Sequence, residues 1–315
     1  MTTYKEIKGT GVQNFSSDPA NPIEGQVWYN TTSDTLKLSI GPEISAWATG
    51  GNLNLARGST PGSAGSNTAA IVMGGFSDGA LTNTESYNGT SWTEVNDLNI
   101  GRSSTTGTGS QTAALVISGN PTPTGQTESW NGTNWTEVGD VNTTRNVAAS
   151  AGTPTAALFF GGSPDSVLTE SYNGTSWSEV NDLNVGKERI AGCGTQTAAL
   201  IFGNFNLTTT NTESWNGTSW SAANPMNSPR NYLGGGGIQT SALAFGGQPA
   251  PARGTFTESW NGTSWSEVND LSVGRSHLTG TGLNNGNALA ALGASVPATS
   301  EEWSVSGGTQ TISTS

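Results

Sequence analysis

Short apolar runs bounded by glycine recur along most of this chain. Each run is about five residues long, which is too short for a typical helix but is the usual length of a strand buried on both faces. We therefore predict many short strands packed between neighbouring sheets. The runs are Ala69–Met73, Ala113–Ile117, Ala156–Phe160, Ala198–Phe202, Ser241–Phe245 and Ala288–Leu292.

These runs belong to a repeat of about 43 residues. The tetrapeptide Thr-Glu-Ser-aromatic occurs five times, and a degraded copy, Ser-Glu-Glu-Trp, follows in register. Five copies continue as Asn-Gly-Thr-(Ser/Asn)-Trp, which predicts a hairpin with a type I′ turn because Asn and Gly tolerate positive φ. Four strands in each repeat predict one propeller blade. The repeat glutamates are spaced by 43, 42, 43, 45 and 43 residues: Glu85, Glu128, Glu170, Glu213, Glu258 and Glu301.

The order of these features resembles that of the kelch family of β-propellers. In that family an apolar strand leads into Gly-Gly, then a Tyr-containing strand, a Trp and an Arg, and the match covers roughly residues 46 to 305. The diglycine is intact in three repeats, for example at Gly74-Gly75, and the basic position is Arg in five repeats and Lys187 in one. The resemblance implies a propeller, but such scaffolds carry many unrelated functions.

Six repeats imply six blades, but the last repeat lacks its outer Trp. Trp47, upstream of the first repeat, aligns with Trp92 at an offset of 45 residues. We therefore predict that the strand near Ala46 to Thr49 completes the last blade and removes an open sheet edge. The alternative is that the tail, Gln310 to Ser313, supplies that strand. The predicted fold class is all-β: a six-bladed kelch-like β-propeller closed by an N-terminal strand, with a short N-terminal β-hairpin segment.

The first 44 residues lie outside the repeat. Apolar and polar residues alternate on both sides of a Thr-Thr-Ser-Asp turn, which predicts one more hairpin. The segment 25–32, Gly-Gln-Val-Trp-Tyr-Asn-Thr-Thr, resembles a motif common near the start of tail-fibre and other virion proteins of bacteriophages. That resemblance implies attachment to a virus particle, whereas the alternative is a hairpin that caps the propeller. The predicted attachment residues are Val27, Trp28, Leu36 and Leu38. The predicted organisation is an attachment segment (1–44), the propeller (45–305) and a C-terminal tail (306–315).

Composition limits the partners. The chain has 11 basic and 23 acidic residues, a net charge of −12, which disfavours nucleic acid because phosphate binding requires clustered Lys and Arg. No apolar run approaches the roughly 20 residues that span a bilayer, so we expect no membrane insertion. The start of the chain lacks the apolar region of a secretory signal peptide. We therefore expect synthesis in a host cytoplasm and a final location in the virion.

The sequence offers little catalytic chemistry. One His and one Cys exclude multi-His and Cys/His metal sites, so we predict no metal, no cofactor and no enzyme activity. Copper-radical oxidases share the kelch scaffold but require two His and a Cys–Tyr pair. The Asn-Gly-Thr-Ser-Trp turn resembles the Asp-box of sialidases. Sialidases also need three arginines that hold a carboxylate, whereas the only arginines outside the repeat position are Arg189 and Arg253. A glycan-acting enzyme is therefore the least favoured alternative. We interpret His277 as a packing or solvated residue at a position held by Thr or Val in other repeats.

The repeated charges have a structural interpretation. Since an isolated buried charge is costly, we expect each repeat Glu to lie near a repeat Arg or Lys, or near backbone amides. The alternative is a ring of six carboxylates that binds cations in a central channel.

The favoured function is a non-enzymatic virion structural or adhesion protein of a bacteriophage. Its expected partners are other virion subunits, through the N-terminal segment, and a host surface protein or glycan. The alternative is a cellular kelch-type module that binds proteins or glycans. The loops after the apolar strands differ in every repeat, as in binding loops held on a rigid scaffold, although drift of unconstrained loops would give the same variation. The candidate binding residues there are Phe76, Asp78, Asp165, Phe205, Arg253 and Phe256.

Overall fold

The computed structural model describes residues 12–19, 25–39, 44–121, 125–206, 210–248, 254–294, 298–306 and 309–312. Every helix or strand that these ranges contain is a β-strand. The described residues therefore include no helix that could cross a membrane. The chain divides into two compact units, residues 46–304 and residues 1–45 with 305–315.

The strands are short, mostly three to six residues. In chain order they are β1 (Gln13–Phe15), β2 (Val27–Asn30), β3 (Thr35–Ser39), β4 (Ile44–Thr49), β5 (Gly62–Gly65), β6 (Ala70–Met73), β7 (Thr84–Tyr87), β8 (Trp92–Val95), β9 (Thr106–Ser110), β10 (Ala113–Ile117), β11 (Thr127–Trp130), β12 (Trp135–Val138), β13 (Ala149–Thr153), β14 (Ala156–Phe160), β15 (Thr169–Tyr172), β16 (Trp177–Glu179), β17 (Ala191–Thr195), β18 (Ala198–Phe202), β19 (Thr212–Trp215), β20 (Trp220–Ala223), β21 (Gly234–Ile238), β22 (Ser241–Phe245), β23 (Thr257–Trp260), β24 (Trp265–Val268), β25 (Thr279–Asn284), β26 (Asn287–Ala291), β27 (Ser300–Ser306) and β28 (Thr309–Ile312).

Each repeat forms one four-stranded sheet. The first five sheets are β5 to β8, β9 to β12, β13 to β16, β17 to β20 and β21 to β24, and the sixth combines β25, β26 and β27 with β4. The first strands contact one another in the order β5, β9, β13, β17, β21 and β25, and β25 also contacts β5. These repeated sheets are consistent with a β-propeller-like fold.

Trp47 lies in β4, the fourth strand of the sixth sheet, at the place that the sequence predicts. Its indole N–H donates to the Thr257 hydroxyl of the neighbouring sheet at 3.0 Å. Trp220 and Trp265, the outer tryptophans of two other repeats, make the same bond to a threonine of the preceding sheet, at 2.9 and 3.1 Å. The tail does not supply this strand, because β28 pairs with β3 instead.

The core of residues 46–304 lies between adjacent sheets. The apolar runs form the second strand of each sheet, and most of their side chains are fully buried, as predicted. Ile71 and Met73 of the first sheet pack with Val116 and Trp130 of the second. A strand that is covered on both faces needs apolar residues at successive positions, which explains why these runs do not alternate.

The turn between the third and fourth strands differs from the predicted type I′ hairpin. Four residues separate Tyr87 from Trp92, and of these only Gly89 has a positive φ, at 88°. The Asn88 side-chain oxygen accepts the backbone N–H groups of the third and fourth loop residues at 3.0 and 2.9 Å. The prediction was wrong because Asn acts through its side chain, as in an Asx turn, and not through a left-handed backbone.

The other unit contains one sheet in the order β1, β2, β3 and β28. The predicted hairpin is formed by β2 and β3, β1 runs parallel to β2, and β28 runs antiparallel to β3. The sheet therefore joins residues from both ends of the chain. Trp28 is fully buried and donates its indole N–H to an Asp18 carboxylate oxygen at 3.0 Å.

Candidate functional site

Each repeat contains a buried carboxylate paired with a basic side chain, which confirms the structural interpretation of the repeated charges. All twelve side chains are at most 3% exposed. The pairs and their N to O distances are Arg57 with Glu85 (3.3 Å), Arg102 with Glu128 (2.5 Å), Arg145 with Glu170 (2.7 Å), Lys187 with Glu213 (3.6 Å), Arg230 with Glu258 (2.8 Å) and Arg275 with Glu301 (2.6 Å).

These pairs connect the segment that follows one sheet to the third strand of the next. The Glu128 carboxylate accepts the backbone and side-chain N–H groups of Asn99, both at 2.8 Å, as well as the Arg102 guanidinium. Burial lowers the pKa of Arg102, while Glu128 acts in the opposite direction. Because basic groups occupy the carboxylates, the cation-binding ring considered above is excluded.

A second repeated feature lies two residues after each basic residue. The backbone φ there is positive in every repeat, between 46° and 58°, although none of the six residues is a glycine. The left-handed region is unusual for such residues, above all for a β-branched one. Backbone strain of this kind clusters at functional sites. The six residues are Ser59, Ser104, Val147, Arg189, Tyr232 and His277.

Backbone hydrogen bonds hold these positions in place. The N–H of Val147 donates to the carbonyl of Ser104 at 3.0 Å, and equivalent bonds link Ser104, Arg189, Tyr232 and His277 to their counterparts in the preceding repeat. The series returns to its start, because the N–H of Thr60, next to Ser59, donates to the carbonyl of His277 at 3.2 Å. The backbone is therefore fixed at a position where the side chains differ in size and charge.

The residues that occupy the position of His277 in the other repeats differ from those that the sequence interpretation gave. The equivalent residues are Ser, Ser, Val, Arg and Tyr, not Thr or Val throughout. The repeats are aligned by the basic residue and by backbone conformation, which places His277 in a series of variable side chains.

Four side chains from neighbouring repeats stack together and form what we call the stacked cluster: Arg189, Phe205, Tyr232 and His277. The Arg189 guanidinium carbon lies 3.8 Å from the Phe205 ring centroid and 5.0 Å from that of Tyr232. The rings of Tyr232 and His277 are stacked, with centroids 3.6 Å apart and an interplanar angle of 22°. Cation–π and aromatic contacts of this kind hold flat groups in a fixed orientation.

Arg189 differs from the other basic residues of this unit. Its side chain is 29% exposed, whereas the six basic residues of the buried pairs are at most 1% exposed. Its Nε lies 3.5 Å from a carboxylate oxygen of Glu188, and the other oxygen of Glu188 accepts the backbone N–H of Asp165. Within the described part of residues 46–304, Arg189 is the only basic side chain with substantial exposure.

Two cavities lie among the first strands. One, of about 80 Å³, is lined by Arg189 and Tyr232 of the stacked cluster together with hydroxyl residues such as Thr60 and Ser150. The other, of about 190 Å³, is lined mainly by glycines and by Cys193. Burial raises the pKa of Cys193 to about 12, so this thiol is a poor nucleophile.

The predicted binding residues fall into separate groups. Phe205 belongs to the stacked cluster, and Asp165 is exposed beside Glu188. Phe76 and Phe256 are 45% and 40% exposed and lie in other repeats, and Asp78 is exposed in the loop that follows Phe76. Arg253 lies outside the described residues.

Sequence reasoning missed the grouping of Arg189, Tyr232 and His277. Comparison of the residue two places after each basic residue would have revealed a position that varies inside a constant framework. Among the predicted attachment residues, Val27, Leu36 and Leu38 are partly exposed, whereas the burial of Trp28 removes it from any attachment surface.

Among the described residues, no group of three or more His, Cys, Asp or Glu side chains is placed to hold a metal ion. Comparison with family models and with curated proteins finds no match to this chain.

Proposed function

We propose that this chain is a six-bladed kelch-like β-propeller that serves as a non-enzymatic structural and adhesion protein of a bacteriophage virion. The observation that carries the proposal is a constant framework of buried ion pairs that presents different side chains at equivalent positions of the repeats. A constant framework with variable exposed residues suits recognition of a partner. Six repeat sheets with cyclic contacts between their first strands, and β4 as the fourth strand of the sixth sheet, support the blade number and the closure.

The N-terminal segment provides the attachment in this proposal. It forms a compact unit with the C-terminal residues, separate from the repeats. Val27, Leu36 and Leu38 supply partly exposed apolar surface there. The partners are other virion subunits at this sheet, and a host surface protein or glycan at the repeat unit.

The test is copurification of the chain with virus particles, followed by removal of the attachment unit. A variant that lacks residues 1–42 and 307–315 keeps β4 and all six repeat sheets. We expect it to unfold cooperatively, like the full chain, but to be absent from particles banded in a density gradient. A matched control that carries Leu283→Ala, an exposed residue in the repeat unit, should assemble normally. A full chain that never bands with particles would favour the alternative, a cellular module for binding proteins or glycans.

A further inference from the structure

The six variable positions, which lie two residues after each basic residue of the buried pairs, carry side chains of very different size. Ser59, Ser104 and Val147 carry small side chains, whereas the next three positions carry Arg189, Tyr232 and His277. The large residues are consecutive and are joined by direct contacts, whereas the other three positions carry small side chains. This asymmetry is absent from the ion pairs, which recur in every repeat.

The guanidinium of Arg189 is available for a ligand. Its Nε is buried, lies 3.5 Å from a Glu188 carboxylate oxygen and makes no hydrogen bond, and no hydrogen bond joins its terminal nitrogens to a described residue. The rings of Phe205 and Tyr232 hold the guanidinium plane in position. A planar guanidinium with free terminal N–H groups matches the geometry of a carboxylate.

The size of the site favours a small ligand. The adjoining cavity of about 80 Å³ is well below the roughly 300 Å³ of a pocket that encloses a drug-sized molecule. Phe205 is 49% exposed, so one part of its ring can pack against the C–H face of a sugar. Ser59 and Ser104, at two of the other variable positions, are partly exposed.

The net charge of −12 further restricts the class of ligand that this site can bind. A long polyanion would be repelled by the rest of the surface, whereas one carboxylate at Arg189 would be screened from distant charges beyond about 8 Å at physiological salt. An isolated acidic group suits these conditions better than an acidic polymer.

We propose that the stacked cluster binds a single terminal sugar residue that carries a carboxylate, with Arg189 holding the carboxylate, the exposed part of Phe205 contacting the sugar ring, and Tyr232 holding the guanidinium in position. This inference rests on the proposed function, since it assigns a ligand class to the host-binding role of the repeat unit.

The test uses the full chain with 3′-sialyllactose, its methyl ester and lactose, and with a pentaglutamate peptide as the protein-like carboxylate. Binding is measured by saturation-transfer difference NMR and by calorimetry. We expect binding of sialyllactose, with the ester and lactose at least tenfold weaker, because esterification removes the charge-assisted bonds to Arg189.

The variants Arg189→Gln, Phe205→Ala and Tyr232→Ala should each weaken binding of sialyllactose. Arg189→Gln should lose at least tenfold and should also abolish the preference for the acid over the ester. Val273→Ala, at an exposed residue outside the cluster, is the matched control and should bind like the parent chain. Thermal unfolding of every variant separates loss of the site from loss of the fold.

Equal affinity for acid and ester, or no binding of any sugar at millimolar concentration, would overturn the inference. Tighter binding of pentaglutamate than of sialyllactose would also overturn it, in favour of a protein partner. The two proposals fail separately. If the chain is found in particles but binds no sugar, the virion role stands and the ligand assignment fails. If the chain binds the sugar but is absent from particles, the ligand assignment stands and the virion role fails.

Discussion

Replacement of Glu258 by Gln should cost far more stability than the same replacement at Glu267. The two residues face each other in register across β23 and β24, so they share a strand pair and differ mainly in burial. The Glu258 side chain is 1% exposed and paired with Arg230 at 2.8 Å, whereas Glu267 is exposed. The Glu258 carboxylate also accepts three N–H groups, two from Asn227 and one from Ser228.

Glu258→Gln keeps the shape of the side chain but leaves Arg230 as a buried cation without its counter-charge. It also turns an amide group toward donors that require an acceptor. Breaking a buried pair by removal of one partner costs about 3–5 kcal/mol. An exposed substitution such as Glu267→Gln stays within about 0.5 kcal/mol.

The assay is urea unfolding monitored by tryptophan fluorescence and circular dichroism, with both variants measured beside the parent chain. A third variant, Arg230→Met with Glu258→Met, removes both charges and should be less destabilised than Glu258→Gln, since no unpaired charge remains. A loss below about 1 kcal/mol for Glu258→Gln, or equal losses for the two glutamates, would refute the claim that the buried pairs hold the link segments to the sheets.

Three further predictions use other parts of the framework. Lys187→Arg should raise the free energy of unfolding by about 1 kcal/mol, because Lys187 lies 3.6 Å from Glu213 and an arginine could donate at hydrogen-bond distance; an unchanged urea midpoint would contradict this. Burial, together with the hydrogen bond to Glu302, raises the pKa of Tyr87 to about 12. The folded state then keeps the phenol proton after the unfolded chain loses it near pH 10, so stability should fall between about pH 10 and pH 12 in the parent chain and less steeply in Tyr87→Phe. Trp47→Ala should lower the free energy of unfolding by about 3 kcal/mol, since it removes aromatic contacts with two rings and one hydrogen bond; a loss below about 0.5 kcal/mol would show that β4 contributes little to the sixth sheet.

The repeat framework could be predicted because its information is local and is repeated six times. An apolar run marks a strand covered on both faces, and a constant spacing of Glu and Arg marks a contact made in every repeat. The position of Trp47 followed from the same regularity, since one repeat lacked a residue that the start of the chain supplied.

Other features depend on contacts that the repeat does not encode. The pairing of β28 with β3 joins residues from opposite ends of the chain, and no motif marks either strand as a partner of the other. The Asn88 turn was predicted with the wrong geometry because the side chain of Asn and its backbone can each produce a tight turn. The stacked cluster combines residues from several repeats, and it forms only when the sheets lie side by side.

The constant framework of the repeats accounts for the variation at the six positions of positive φ. A bulky residue with positive φ is strained, and it persists only where the surrounding structure fixes the backbone. Here the ion pair two residues earlier and the hydrogen bonds to neighbouring repeats provide that constraint, so the side chain itself contributes little to the fold. Residues as different as Val147, Arg189 and His277 are therefore tolerated at one structural position. Substitution at these six positions therefore changes the side chains that the repeats present while the buried framework stays the same.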